Sequence, residues 1–328
     1  YQVMGEERVL EALKTNTIDY GEPNATADNL TVVNGMKNMA QKDYQTGGYG
    51  YIGINPAAVP DLEVRQAIMR AFNPSAITAF YGSSLVDIIH RPMSLTSWAY
   101  PKGATRYYER YTDEKQIRDL VTSSEKHTWI YDEQNNKIVD AQGNQLKLTF
   151  TIAGETTKHP AYRMLNDAAD FLERCGMDII VTTDVGALNK LATGQLEVGA
   201  AAWSSSIDPD PYQIYSIYSN ASSTKNWNKQ GILDSGRYGE FSREYDIAQR
   251  LAEKIDEGRS KLTREERIPV YHDCLDLIMD LAVEFPTYQR RNLCVYNENV
   301  LDASTMHISD ASFNMGPIDE LWKVAYKN

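Results

Sequence analysis

The sequence predicts an α/β protein with a mainly parallel sheet. Three observations predict it. First, Leu146 to Ile152 alternates apolar and polar residues, Pro160 opens an amphipathic helix closed by Gly176, and Met177 to Thr183 is a second strand. That strand–helix–strand unit has the length of a right-handed parallel crossover. Second, Leu196-Glu-Val-Gly-Ala-Ala-Ala-Trp203 reads as a strand of small residues that a large partner can approach closely. It ends in Trp203, three serines and Asp208-Pro-Asp-Pro211. In an α/β sheet such an end delivers polar groups to a crevice at the carboxyl edge. An ordinary turn accounts for the same residues, because Ser, Asp and Pro all favour turns. Third, two long helical patterns follow, one carrying Phe241, Tyr245, Ala248, Leu251, Ala252 and Ile255, the other Val270, Tyr271, Cys274, Ile278 and Leu281.

Taken in order, Glu6 to Leu13 is a short amphipathic helix with Val9, Leu10 and Leu13 inward. A loop leads through Asn24 into a short helix or strand ending near Val33. Residues 1–45 hold too few apolar side chains to close a core alone. Gly47 to Asn55 is a strand whose glycines permit bends, read as a connection between lobes. Asp61 then caps a helix with Val64, Ala67, Ile68 and Ala71 on one face. Asn73-Pro74 ends it, and Pro74 opens a second helix through Phe80. Residues 88–104 are irregular, and their Trp98 and Tyr100 either line a pocket or plug the edge of a core.

Asp113 opens a helix with Ile117, Leu120 and Val121 inward, and a hairpin turns at Asn135-Asn136. Ala187 to Thr193 is a short helix closed by Gly194. After Tyr212 comes a polar, aromatic loop through Tyr238. Thr263 and Glu266 form a capping box for the second long helix. Glu284 to Asn297 is a strand-like return, followed by an irregular tail with a short helix near Leu321.

Composition narrows the function. The chain has 328 residues and a net charge of -12, with no run of lysines and arginines. Nucleic acid and anionic membrane surfaces are therefore not expected partners. No stretch approaches the roughly 20 apolar residues of a membrane span. The first residue is Tyr1, so an upstream segment is expected to be missing. The three cysteines are too few for a disulfide framework, and Cys274 lies on an apolar helical stripe.

No phosphate-cradling glycine loop and no Gly-x-Ser-x-Gly elbow occurs. The five histidines are scattered, so no metal and no cofactor are expected. Asp208 and Asp210 either form a carboxylate pair for acid–base work or cap backbone amides in a proline-locked turn.

Four stretches in register resemble one family, the extracytoplasmic solute-binding proteins of ABC importers that include dipeptide-, oligopeptide- and nickel-binding members (family 5). Tyr51-Ile-Gly-Ile-Asn55 with Asp61-Leu-Glu-Val-Arg-Gln-Ala-Ile-Met-Arg-Ala-Phe72 is similar to the family's extended "Asn" strand and "Val-Arg-Gln-Ala" helix. Trp203 to Tyr212 is similar to its "Trp … Asp-Pro-Asp" segment, and Phe285 to Asn297 to its return strand. Ala12 to Gly21 resembles its "Leu … Gly-Glu-Ile-Asp" turn.

The resemblance implies a periplasmic-binding-protein-like fold of type II, cluster C: an α/β C-terminal lobe with a mainly parallel sheet flanked by helices, plus fragments of the other lobe. Residues 1–52 would be a partial first-lobe segment, 53–286 the C-terminal lobe, and 287–328 the return strand and tail to the first lobe. Only the C-terminal portion of such a protein would be present. It implies a non-enzymatic, monomeric protein, periplasmic or anchored at the cell surface as a lipoprotein. That protein would capture a peptide or other small molecule in an interlobe cleft and deliver it to the membrane subunits of an ABC permease.

The implied contact residues are Trp203 as an apolar wall, Ser204 and Ser206 as hydrogen-bond partners, and Asp208 as a cation partner, with Trp98, Tyr100 and Arg291 as further candidates. Arg291 faces either a ligand carboxylate or a hinge salt bridge. One departure stands out. Peptide-binding members carry an Asp three residues after the Trp that pairs with the peptide ammonium, and here that position is Ser206. A neutral solute such as an oligosaccharide, met by Trp stacking and hydroxyls, is therefore an alternative ligand. A hydrolase using Asp208 and Asp210 is the alternative of another class.

Overall fold

A computed structural model describes residues 5–154, 159–221, 243–309, 311–312 and 314–327. The chain divides into two compact units, one of residues 1–49, 77–88 and 288–328, the other of residues 50–76 and 89–287.

The smaller unit begins with α1 (Glu6–Lys14) and a two-residue strand β1 (Tyr20–Gly21), then α2 (Ala27–Asn34), capped by Thr26. Strand β2 (Met39–Gln45) follows. Its sequence, Met-Ala-Gln-Lys-Asp-Tyr-Gln, carries no apolar alternation and gave no strand signal. It is a strand because it pairs antiparallel with Arg291–Asn297 of the return strand. The return strand also pairs with β1 through Tyr296 and Val295. Residues 77–88, which the sequence partition kept with the other lobe, belong to this unit. Their strand pairs antiparallel with Tyr288–Arg290.

The larger unit carries most of β3 (Gly48–Ile54), then α3 (Leu62–Ala71) and the start of α4 (Ser75–Tyr81); β4 (Val86–Ile88) lies in the smaller unit. Asp61 precedes α3 as expected, but its side chain makes no cap bond. It accepts instead from Ser124 Oγ and from His127, at 2.8 Å from Nδ1. Helix α3 buries an arginine among its apolar residues. Arg65 is fully buried and donates to the carbonyls of Val59, Pro60 and Leu281 at 2.9–3.2 Å. A buried guanidinium is tolerated because its donors are satisfied.

Helix α5 (Glu114–Thr122) is capped by Asp113 and buries Ile117 and Val121. A hairpin, β5 (Ile130–Asp132) and β6 (Lys137–Val139), turns at Asn136 in a left-handed conformation, φ 48°. Then comes the α/β core. Strand β7 (Lys147–Ala153) buries Leu148, Phe150 and Ile152. Helix α6 (Pro160–Arg174) stops before Gly176, whose φ of 105° no β-carbon-bearing residue adopts comfortably. Strand β8 (Asp178–Asp184) runs parallel to β7, helix α7 (Ala187–Ala192) follows, and β9 (Val198–Ser204) runs parallel to β7 on its other side.

Within this unit the strand order is β3, β9, β7, β8. The small residues of β9 answer a packing demand. A β-carbon on Gly199 would lie 3.0 Å from Leu196 Cδ1 and 3.5 Å from Leu191 Cδ1.

A short helix α8 (Tyr212–Tyr215) leads out of the β9 loop. Helices α9 (Arg243–Ser260) and α10 (Arg264–Asp280) pack as an antiparallel pair, and the Thr263–Glu266 capping box is present. Phe241, and the loop expected through Tyr238 from residue 222 onward, lie outside the described residues. Strand β10 (Glu284–Asn297) is the return. No helix among the described residues is long and apolar enough to cross a membrane.

Candidate functional site

Most of the candidate residues of the sequence converge on the carboxyl end of β9 and the loop that follows it. Strand β9 pairs with β7 only over Val198–Ala200, so Ala201 to Ser204 runs on past it beside β3. There Trp203 stacks on Tyr51 of β3, with ring centroids 5.2 Å apart and planes 8° apart. Its indole Nε1 donates to Glu284 Oε2 at 3.3 Å, and Tyr215 OH donates to the same oxygen at 2.6 Å. Glu284 is buried and opens β10. Burial first, and the Glu284 charge second, push the Tyr51 phenol far above its usual range, so Tyr51 stays neutral. The indole is thus fixed in plane by a ring and in rotation by a carboxylate. Ser204, next along, is exposed.

Beyond it the loop folds on itself. Ser206 Oγ donates to the Asp208 carbonyl. The Asp208 carboxylate is taken by Arg267 of α10 through two bonds, Nη2 to Oδ1 at 2.8 Å and Nη1 to Oδ2 at 3.2 Å. Arg267 also lies 5.2 Å from the Trp98 ring and donates to Tyr271 OH, while Arg264 sits 5.3 Å from the same Trp98 ring. Trp98 and Tyr271 pack at 6.1 Å.

Asp210 behaves differently. It accepts from the Tyr212 amide at 3.0 Å and pairs with Arg259 at 3.2 Å. Burial raises its pKa. Each of the two carboxylates therefore has its own arginine.

The remaining sequence candidates lie elsewhere. Tyr100 is buried, and its hydroxyl accepts from the His90 amide at 3.1 Å, which ties down the irregular loop. Arg291 belongs to the smaller unit and pairs with Asp43 at 2.8 Å and Asp87 at 3.0 Å. The structure thus joins Trp98 to Asp208 through Arg267, and leaves Tyr100 and Arg291 in separate surroundings. Tyr51, Tyr215, Glu284 and Arg267 were not singled out from sequence. Each reaches the site from a distant segment and carries no local motif.

Among the described residues no group of three or more His, Cys, Asp or Glu is placed to hold a metal. The three cysteines are free and buried, and burial pushes their thiols up to about 12.

The family description "Bacterial extracellular solute-binding proteins, family 5 Middle" matches residues 1–225. The chain belongs to this family. Family 5 structures share its fold. The oligopeptide-binding protein AppA from Bacillus subtilis, in complex with a nonapeptide, is 17% identical with a TM-score of 0.71, over 100% of this chain and 60% of that one. NikZ from Campylobacter jejuni, in complex with Ni(L-His), is 16% identical with a TM-score of 0.69, over 99% and 60%. DppA from Helicobacter pylori, in complex with the peptide STSA, is 16% identical with a TM-score of 0.65, over 100% and 56%. The chain spans about 60% of the length of these structures. No curated protein matches it by sequence.

Proposed function

We propose that the chain is the solute-binding part of an ABC importer, that it captures peptides without covalent chemistry, and that it passes them to the membrane permease. In this reading the protein is a monomer outside the cytoplasmic membrane, periplasmic or lipid-anchored. Family membership supports the binding role, and the peptide complexes of AppA and DppA favour peptides among possible solutes.

The observation that carries the site is Trp203. It stands at the carboxyl end of a parallel-sheet strand, where open α/β sheets bind ligands. It is held flat by Tyr51 and oriented by Glu284, and the exposed Ser204 follows it at the end of the strand. An apolar face next to a few placed hydroxyls is what a small-molecule site requires.

A second reading, capture of an oligosaccharide or other neutral solute, is favoured by one feature. The Asp208 carboxylate is already paired with Arg267 and is not waiting for a ligand cation.

The test is a thermal-shift screen of the full-length protein against dipeptides, longer peptides, oligosaccharides and chelated nickel. A solute at a hundred times its dissociation constant adds about 2.7 kcal/mol. A peptide shift supports the first reading and an oligosaccharide shift the second. A nickel-only shift, or none, contradicts both.

A further inference from the structure

We infer that Arg267 decides which charge the loop following Trp203 accepts at Asp208. It fills the Asp208 carboxylate as a built-in counter-ion, so the solute meets this position without a cationic group. The inference rests on the binding role proposed above and narrows its solute class.

Three features set this pair apart from an ordinary surface ion pair, whose two flexible ends gain little by meeting. The geometry is a fork, with two nitrogens on two oxygens at 2.8 and 3.2 Å. The guanidinium is fixed before it meets the carboxylate: one face lies 5.2 Å from Trp98, the Tyr271 ring is 5.0 Å away, and Tyr271 OH accepts from Nη2. The Arg267 side chain is only 18% exposed, whereas Asp208 is 59% exposed. The cation is therefore the anchored member, and the carboxylate is the group a solute would reach.

An ammonium arriving from solution would replace a planar two-point contact with a single-point one. It would also have to settle beside Arg264, which lies 5.3 Å from the same Trp98 ring and makes no ion pair among the described residues. Asp208 is held from its other side too, because its carbonyl accepts from Ser206 and Pro209 follows it directly. The loop at Asp208 consequently presents no net negative charge. It suits a solute that is neutral or anionic at the end lying here.

The experiment titrates tri-alanine and N-acetyl-tri-alanine into the full-length protein by calorimetry, for wild type, R267M, R267K and D208N. Wild type is expected to bind both within about threefold. R267M frees the carboxylate and should shift the ratio about tenfold toward the free amine, with R267K, which keeps the charge and loses the fork, in between. D208N leaves the Arg267 charge uncompensated and should shift the ratio, if at all, away from the free amine. A wild-type preference of tenfold or more for the free amine, erased by D208N, overturns the inference.

If neither peptide binds, the peptide reading fails, and the counter-ion role is decided without a solute. Carbodiimide coupling of glycine ethyl ester to Asp208, read by peptide mapping, should run at least about fivefold faster in R267M than in wild type. Equal rates overturn the inference.

Discussion

Trp203 lies parallel to Tyr51, 5.2 Å from centroid to centroid. The two residues sit on neighbouring strands, and Trp203 is half-buried there. Replacing Tyr51 by Leu keeps the burial and removes the stack, worth about 0.5–1.5 kcal/mol beyond area. Calorimetric titration of Tyr51→Leu should show solute affinity reduced about tenfold while the unfolding temperature falls by only a few degrees. Unchanged affinity would mean that the braced indole is not a binding surface.

The rotation of the indole is set from the other side by Glu284. Its carboxylate serves Trp203 and Tyr215 together. Glu284→Ala leaves both donors without this acceptor, at about 1–3 kcal/mol for an unsatisfied buried group. Glu284→Gln keeps one carbonyl oxygen and should lose less. Urea unfolding of the two variants checks the order.

Helices α9 and α10 touch closely enough that a β-carbon on Gly258 would overlap the Tyr271 ring. Gly258→Ala should therefore destabilise by about 1–3 kcal/mol, as overpacking does, even though alanine is the better helix former. Because Tyr271 accepts from Arg267, the variant should also speed carbodiimide labelling of Asp208. A stabilised Gly258→Ala would contradict the packing described here.

Stability should rise with pH through the histidine range. His159 caps α6 by accepting from the Ala161 amide on Nδ1 at 3.1 Å, which requires the neutral ring. Burial lowers its pKa below 6.5, and burial with the charges of Arg91 and Arg106 does the same for His90. Below 6.5 the unfolded chain binds more protons than the folded one, so stability falls as pH drops through that value toward the folded pKa values. His159→Asn keeps a capping oxygen and cannot titrate, so its thermal stability should vary less between about pH 7.5 and 5.5. An unchanged pH slope would remove His159 from the account.

The fold was legible where the signal was local. The alternation of Leu148, Phe150 and Ile152, the Pro160 start, the Gly176 stop and the Thr263–Glu266 box each need only a few neighbouring residues, and each stands in the structure. Strand β2 was not legible, because its polar sequence becomes a strand only through partners some 250 residues away, Gln45 opposite Arg291 for example. Asp61 was misread for the opposite reason. Its position suits a cap, yet Ser124 and His127 claim its oxygens from 63 and 66 residues on. The site divides in the same way. Trp203 and Asp208 stand out in the sequence, but their surroundings are set at long range. Glu284 bonds Trp203 from 81 residues on, and Arg267 bonds Asp208 from 59. No local pattern shows that one aromatic is braced and one carboxylate is occupied.

The central claim is that the end of β9 is a solute-binding wall built on Trp203. The most direct measurement is calorimetric titration of the full-length protein and its Trp203→Leu variant with whichever solute first raises the unfolding temperature. The account predicts binding to wild type and at least about thirtyfold weaker binding to the variant, the scale of losing a fully used aromatic contact of about 2 kcal/mol or more, with the variant still folded. Equal affinities in the two proteins would place the solute elsewhere and contradict the account.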